Sequence, residues 1–139
     1  MSVPDEAPAL FQLARGLLAG LEQAEPRAPL AEYTAVWEAS AHQCRELANR
    51  VVLATATAAT ADTEDTAAAE RRRLLGELAV MLAVNAEWAV AICQPHRTAQ
   101  DPADPQALRA WGTARTALHH TAVGVLRMLT ISHQTPDDT

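Results

Sequence analysis

The pattern of apolar and polar positions divides the chain into four amphipathic segments, separated by turns that contain Pro or acidic residues. Apolar residues recur at spacings of three and four in each segment, which is the period of one face of an α-helix. No stretch alternates apolar and polar residues with period two, so no β-strand is predicted. We therefore predict an all-α fold with helices over about 5–24, 30–60, 64–93 and 105–132.

The segment 74–93 is the most apolar of the four and contains no Pro. One stripe along it consists of Leu74, Leu78, Met81, Asn85, Trp88 and Ile92, and the adjoining stripe consists of Val80, Val84, Glu87 and Ala91. A helix that is apolar on two adjoining stripes needs cover on more than one side. The pattern therefore predicts that the third helix is the most buried and that the other helices pack around it.

Short connections set the predicted topology. The turns at 26–29 and 62–66 leave room only for a reversal of direction, so consecutive helices are predicted to be antiparallel neighbours. Asp104 and Pro105 supply an N-cap followed by Pro at the first helical position of the fourth helix. The predicted architecture is a single-domain, antiparallel, up-down four-helix bundle with a disordered tail over 134–139.

Composition and charge narrow the classes of function. The 139 residues suffice for one domain, and Ala and Leu dominate a 49% hydrophobic content in which aromatic residues make up only 4% of the chain. The formal net charge of −6 disfavours attraction to a phosphate backbone. The acidic N-terminus lacks the basic region of a signal peptide, and Asn85 and Glu87 interrupt the longest apolar run. We expect a cytoplasmic protein that binds neither nucleic acid nor membrane.

Cysteine and histidine spacing gives no indication of a metal or a cofactor. Cys44 and Cys93 are the only cysteines, and both fall on apolar stripes, which predicts buried and unreactive thiols. The Glu-x-x-His pairs of di-iron bundles are absent, as are His-Glu-x-x-His and Cys-x-x-Cys. We therefore predict no metal site and no cofactor.

Three Trp residues and the single Tyr are predicted to collect at one pole of the bundle. In an up-down topology, the end of helix three meets the starts of helices two and four. At 1.5 Å per residue, Trp37, Trp88 and Trp111 then all lie roughly 9–12 Å below that pole, with Tyr33 one turn above Trp37. The matched heights predict that Trp88 and Trp111 face each other.

Polar residues interrupt the apolar stripes close to these rings. A buried Glu87 and a buried Arg115 on neighbouring helices are expected to pair, because an unpaired buried charge is costly. The predicted site has Glu87 and Arg115 as catalytic residues, and the ligand-binding residues are Tyr33, Trp37, Asn85, Trp88 and Trp111. In the alternative, structural interpretation, the Trp residues fill the wide end of the bundle and Glu87 with Arg115 forms a buried strut.

These features leave two main classes of function open. An open cavity between the three Trp rings would favour a pocket for a small, partly apolar ligand, in an enzyme or an accessory protein of specialised (natural-product) metabolism. A closed aromatic cluster would favour a protein–protein interaction bundle without a small ligand. Because helix three is apolar on two sides and helix one is short, we also expect a homodimer that forms through helices two and three.

Two Arg–His pairs in the fourth helix resemble the motif of the HEPN ribonucleases, which are small helical bundles that dimerise. In that motif four to six residues separate an Arg from a following His; here four residues separate Arg115 from His120, and five separate Arg127 from His133. The residue after the Arg is usually polar in that family; Thr116 meets this condition, whereas the second pair does not. The resemblance implies a third alternative, in which the protein cleaves RNA in a cleft between two protomers. The acidic net charge is unfavourable for binding RNA.

Overall fold

The residues that the structure describes fold into four α-helices and one short 3-10 turn. The structure, a computed structural model, describes residues 6–23, 30–61, 66–98, 100–101 and 103–134, without the side chains of 55–61 and 132–134. The helices are α1 (Glu6–Gln23), α2 (Ala31–Ala61), α3 (Thr66–Cys93) and α4 (Pro105–Gln134), and the 3-10 turn is Gln94–His96. The described residues contain no strand, so the all-α prediction is confirmed.

Each helix packs against the helices that precede and follow it, and α1 also packs against α4. The contact between α2 and α3 is the most extensive, and α1 touches α3 only slightly. The predicted helix ends at 5, 24 and 64 lie outside the described residues. Gln134, at the start of the predicted tail, is helical, and the rest of the tail lies outside the described residues.

In α1, α2 and α4, apolar residues at spacings of three and four face the interior. The buried apolar residues of α1 are Leu10, Ala14, Leu17 and Leu21. Those of α2 and the residue before it include Leu30, Trp37, Ala41, Cys44, Leu47 and Val51, and those of α4 include Trp111, Ala114, Leu118, Ala122, Val125 and Leu129. Burial of these side chains supplies most of the free energy that favours the fold.

The start of α4 follows its predicted capping pattern. The Oδ1 atom of Asp104 accepts a hydrogen bond from the backbone N–H of Gln106 at 3.0 Å. This bond satisfies one of the four N–H groups that have no partner within the first turn of a helix. Pro105 then occupies the first helical position, where its missing N–H has no consequence.

Helix α3 contradicts the prediction for its orientation. Its buried residues are Leu78, Ala79, Leu82, Ala83, Ala86, Ala89 and Cys93. Four of its large apolar side chains are exposed instead: Val80 is 40% exposed, Met81 48%, Val84 45% and Trp88 46%. We refer to these four residues as the α3 apolar face. The prediction that α3 is the most buried helix, with Met81, Asn85 and Trp88 on its inward stripe, is therefore wrong.

The prediction for α3 is wrong because this helix is apolar on most of its circumference. Apolar periodicity therefore does not determine which side of the helix faces the interior. The small inward residues allow α2 to approach α3 closely. At Gly76, a Cβ atom would be in van der Waals contact with α2, 3.4 Å from Cγ1 of Val51. Ala and Gly at the contact bring two helix backbones together, and the larger side chains are left for the outer surface.

We expect both cysteines to be unreactive in the folded protein. Cys44 and Cys93 are buried and free, and burial raises the pKa of each thiol to about 11. The reactive thiolate is therefore scarce at pH 8. A colorimetric thiol assay at that pH should detect two thiols only after denaturation. Rapid reaction of either thiol in the folded protein would contradict the packing of α2 and α3.

Candidate functional site

Three aromatic rings form a closed cluster at one pole. The Tyr33 ring lies 6.0 Å from the Trp37 ring, at an interplanar angle of 30°, and 6.0 Å from the Trp111 ring, at 63°. Trp37 is 2% exposed and Trp111 is 7% exposed. The Nε1 atom of Trp111 has no hydrogen-bond partner among the described residues, so contacts between rings hold this group together. We call these three residues the aromatic cluster.

Trp88 and Asn85 lie outside this cluster. The Trp88 side chain is almost half exposed on the α3 apolar face. The Asn85 Nδ2 atom donates a hydrogen bond of 2.9 Å to the carbonyl oxygen of Met81, in its own helix. The prediction that Trp88 faces Trp111 is therefore wrong, and so is the prediction that Asn85 or Glu87 reaches Arg115. Both errors follow from the rotation of α3.

Glu87 pairs with Arg45 of α2 rather than with Arg115. The Nε atom of Arg45 donates to Oε2 of Glu87 at 2.8 Å, and Nη2 donates to Oε1 at 2.7 Å. The two parallel bonds form a bidentate fork, the strongest geometry for such a pair. The side chains are 46% and 47% exposed, so the pair lies on the surface and is not a buried strut.

The environment of Glu87 does not favour general acid–base chemistry. The hydrogen bonds from Arg45 lower the pKa of the Glu87 carboxyl below its ordinary value. A general acid that works at neutral pH needs the opposite shift, which comes from burial away from positive charge. Glu87 therefore remains an ionised surface carboxylate with a fixed partner.

Arg115 stabilises the end of α1. Its Nε atom donates a hydrogen bond of 3.1 Å to the carbonyl oxygen of Leu21, which lies in the last turn of α1. Carbonyls in that turn have no partner within their own helix, and a cation there also interacts favourably with the helix dipole. The guanidinium carbon lies 5.7 Å from the centre of the Trp111 ring. Arg115 thus joins α4, α1 and the aromatic cluster.

The first ribonuclease-like pair does not converge on one site. Positions five apart on an α-helix are separated by about 140° around its axis, so Arg115 and His120 point in different directions. Arg115 is engaged with Leu21, whereas His120 is exposed. The side chain of His133 lies outside the described residues, so the geometry of its pair with Arg127 is not described.

An apolar groove adjoins the α3 apolar face. It lies between α2 and α3 and has a volume of about 920 Å³. Its lining includes Val51, Val52, Gly76, Val80 and Met81. A smaller groove of about 520 Å³ lies between the same two helices and contains the pair of Arg45 and Glu87. Neither groove includes a ring of the aromatic cluster, so the exposed apolar surface and that cluster are separate features.

The sequence contained a signal for this surface. The sequence pattern places Val80, Val84 and Glu87 on a separate stripe, which the structure places on the surface and not in the interior. Two polar neighbours of these apolar residues, Glu77 and Glu87, are compatible with a surface position. A stripe that carries both large apolar and charged residues is typical of a helix face that meets a partner.

By length and composition, Thr66–His96 would also suit a membrane span, although the central helix of a soluble protein can have the same properties. Only 39% of its most apolar window is buried within the fold. The expectation that no segment of the chain is long and apolar enough to span a bilayer is therefore not confirmed. The low burial shows how much apolar surface α3 leaves uncovered.

Within the described ranges, no group of three or more His, Cys, Asp or Glu side chains could hold a metal ion. No known protein family matches this chain, and no curated protein or solved structure that was compared with it matches either. The function must therefore be argued from the geometry of the chain itself.

We expect Arg115→Leu to destabilise the fold. The change leaves the Leu21 carbonyl without its charged donor, and hydrogen bonds that involve a charged group contribute about 1.5–3 kcal/mol. The matched control is Arg109→Leu, on an exposed position of the same helix. Urea unfolding should show a clear loss of stability for the first variant only. Equal stability of the two variants would contradict the role of Arg115 at the end of α1.

We expect Glu87→Gln to have a small effect that depends on pH. Because the pKa of Glu87 is lowered in the folded state, its pairing stabilises the fold at neutral pH, and this contribution disappears as the pH falls through the folded-state pKa. The melting temperatures of the wild type and the variant should therefore converge on acidification. Glu77→Gln is the control, since Glu77 has only a 3.9 Å contact with Arg73. A large loss of stability at neutral pH that persists in acid would contradict the surface position of this pair.

Proposed function

We propose that this chain is a protein–protein interaction bundle without a small-molecule ligand, and that its working form is a dimer of identical chains. The α3 apolar face and the neighbouring surface of α2 form the interface. The observation that carries this proposal is the orientation of α3, which buries Ala and exposes Val, Met and Trp. Burying these large side chains against a second copy would add hydrophobic stabilisation that the single chain lacks.

The size of the surface supports a stable interface. From Arg73 to Ala91, both exposed, α3 rises about 27 Å at 1.5 Å per residue. Two neighbouring helices together are about 20 Å wide, which gives a flat footprint on the order of 500 Å². Projecting side chains enlarge the accessible area beyond this value, towards the roughly 800 Å² per partner of a standard interface.

The charges on this surface favour a second copy of the chain as the partner. Arg45 pairs with Glu87, and Arg73 lies 3.9 Å from Glu77, so two acidic and two basic groups neutralise each other locally. The whole chain carries a net charge of −6, and two copies therefore repel each other at most faces. A locally neutral apolar surface is where that repulsion is weakest.

We further infer that the helices form an antiparallel up-down bundle. Arg45 of α2 contacts Glu87 of α3. Val51 lies six residues further along α2, but it lies against Gly76, which precedes Glu87 by eleven residues in α3. The two helices therefore run in opposite directions. The cyclic order of packing, α1 on α2, α2 on α3, α3 on α4 and α4 on α1, supports the same arrangement for the others.

The small-ligand hypothesis has less support. It required an open cavity between Trp37, Trp88 and Trp111, whereas Trp37 and Trp111 join Tyr33 in a closed cluster and Trp88 lies elsewhere. Without a small-molecule site, a role in specialised metabolism would depend on other proteins that the dimer binds. The α2–α3 groove is part of the proposed interface and is covered when two copies associate.

We expect Val84→Glu to convert a dimer into a monomer. The change places a charge at the centre of the α3 apolar face, where a second copy would have to desolvate it. Val36→Glu is the matched control, because Val36 is an exposed Val on α2 that lines neither α2–α3 groove. Light scattering after gel filtration should give a dimer mass for the wild type and the control, and a monomer mass for Val84→Glu.

A monomer mass for the wild type at micromolar concentration would contradict the proposed dimer. A monomer that floats with neutral lipid vesicles would instead show that the α3 apolar face meets a membrane. A dimer that persists in Val84→Glu would place the interface elsewhere. Circular dichroism of each variant verifies that the helices remain folded.

A further inference from the structure

A second apolar groove lies between α1 and α4, the two helices that take no part in the α3 apolar face. Its volume is about 610 Å³. The apolar side chains that line it are Phe11, Leu18, Ala19, Val123, Leu126 and Ile131. Ile131 is 54% exposed at one end of the groove, and Ala19 is exposed on its wall. The fold therefore leaves a strip of uncovered apolar surface along a second pair of helices.

The charged residues of this groove differ from those of the α2–α3 surface. Arg15 and Arg127 line it together with one acidic residue, Glu22. The Arg15 guanidinium carbon lies 5.8 Å from the centre of the Phe11 ring. Among the ion pairs of the described residues, none involves Arg15 or Arg127. Although the chain has a net charge of −6, the lining of this groove holds two arginines and one glutamate, and neither arginine has an acidic partner among the residues that the structure describes.

The dimensions of the groove suit a helix. From Phe11 to Glu22 the groove follows α1 for about 16 Å, which is three helical turns. The furrow between two packed helices receives a third helix through ridges and grooves of side chains. An amphipathic helix binds such a furrow through apolar residues at spacings of three, four and seven. Carboxylates beside that apolar stripe would meet the two guanidinium groups.

We propose that the α1–α4 groove docks an amphipathic helix of another protein, about three turns long, with Glu or Asp beside its apolar stripe. Charge selects this partner: Arg15 and Arg127 attract acidic flanks and repel basic ones. The site is independent of the proposed dimer, because its residues lie on α1 and α4.

The test uses two synthetic helical peptides with the same Leu stripe, one flanked by Glu and the other by Lys. Fluorescence anisotropy should show that the Glu peptide binds the wild type more tightly than the Lys peptide. In the double variant Arg15→Glu, Arg127→Glu the preference should reverse, with a loss of at least about tenfold for the Glu peptide. The matched control is Arg71→Glu, Arg109→Glu, which changes the same net charge at exposed positions outside the groove.

A second variant tests the groove without changing its charge. Ala19 is exposed and lines the groove, so Ala19→Gln adds bulk there while leaving the core intact. This variant should weaken binding of the Glu peptide while circular dichroism remains that of the wild type. Binding should persist in Val84→Glu, which separates this site from the dimer interface. Equal binding of both peptides to the wild type, or retained Glu-peptide binding in the charge-reversed variant, would overturn the proposal.

Discussion

The close packing of α2 against α3 is the constraint on which the rest of the structure depends. α3 buries Ala79, Ala83 and Ala86, and a Cβ atom at Gly76 would meet Cγ1 of Val51 in α2 at 3.4 Å. This choice of inner face determines the outer one. An α-helix that turns its small residues inward must turn the residues on the opposite side outward, and in α3 those are Val, Met and Trp. The exposed apolar surface is therefore a consequence of tight packing inside the bundle.

The same rotation separates the residues that the sequence had placed together. It moves Trp88 away from the aromatic cluster and brings Glu87 to Arg45 on the neighbouring helix. Arg115, without an acidic partner from α3, stabilises the final turn of α1 instead. The residues predicted to form a catalytic site therefore belong to three separate features. These are a surface ion pair, a contact at the end of α1 and a closed cluster of aromatic rings. The ion pair lines the smaller groove between α2 and α3, and two larger helix–helix grooves expose mainly apolar surface.

Much of the fold could be predicted because helix boundaries depend on local signals. Asp104 and Pro105 specify the start of α4 through a cap and a fixed backbone angle, and apolar periodicity identifies the inward face wherever the opposite face is polar. The site could not be predicted, because α3 is apolar on most of its circumference and its rotation depends on tertiary packing. The spacing of apolar residues assigned Trp88 and Met81 to the interior. In the structure the buried side of α3 is the one with Ala79, Ala83 and Ala86, and Glu87 lies on the surface.

The central claim is that α3 exposes its large apolar residues within one chain and covers them in a dimer. Fluorine NMR of protein labelled with fluorotryptophan tests it directly, with Trp88→Phe identifying the signal of Trp88 and a soluble paramagnet reporting solvent access. Trp88 is 46% exposed, and Trp37 and Trp111 are buried. At the lowest concentration, one signal should be broadened by the paramagnet, and this signal should become protected as concentration rises. Protection of all three signals at every concentration, in a protein that is monomeric, would contradict the account.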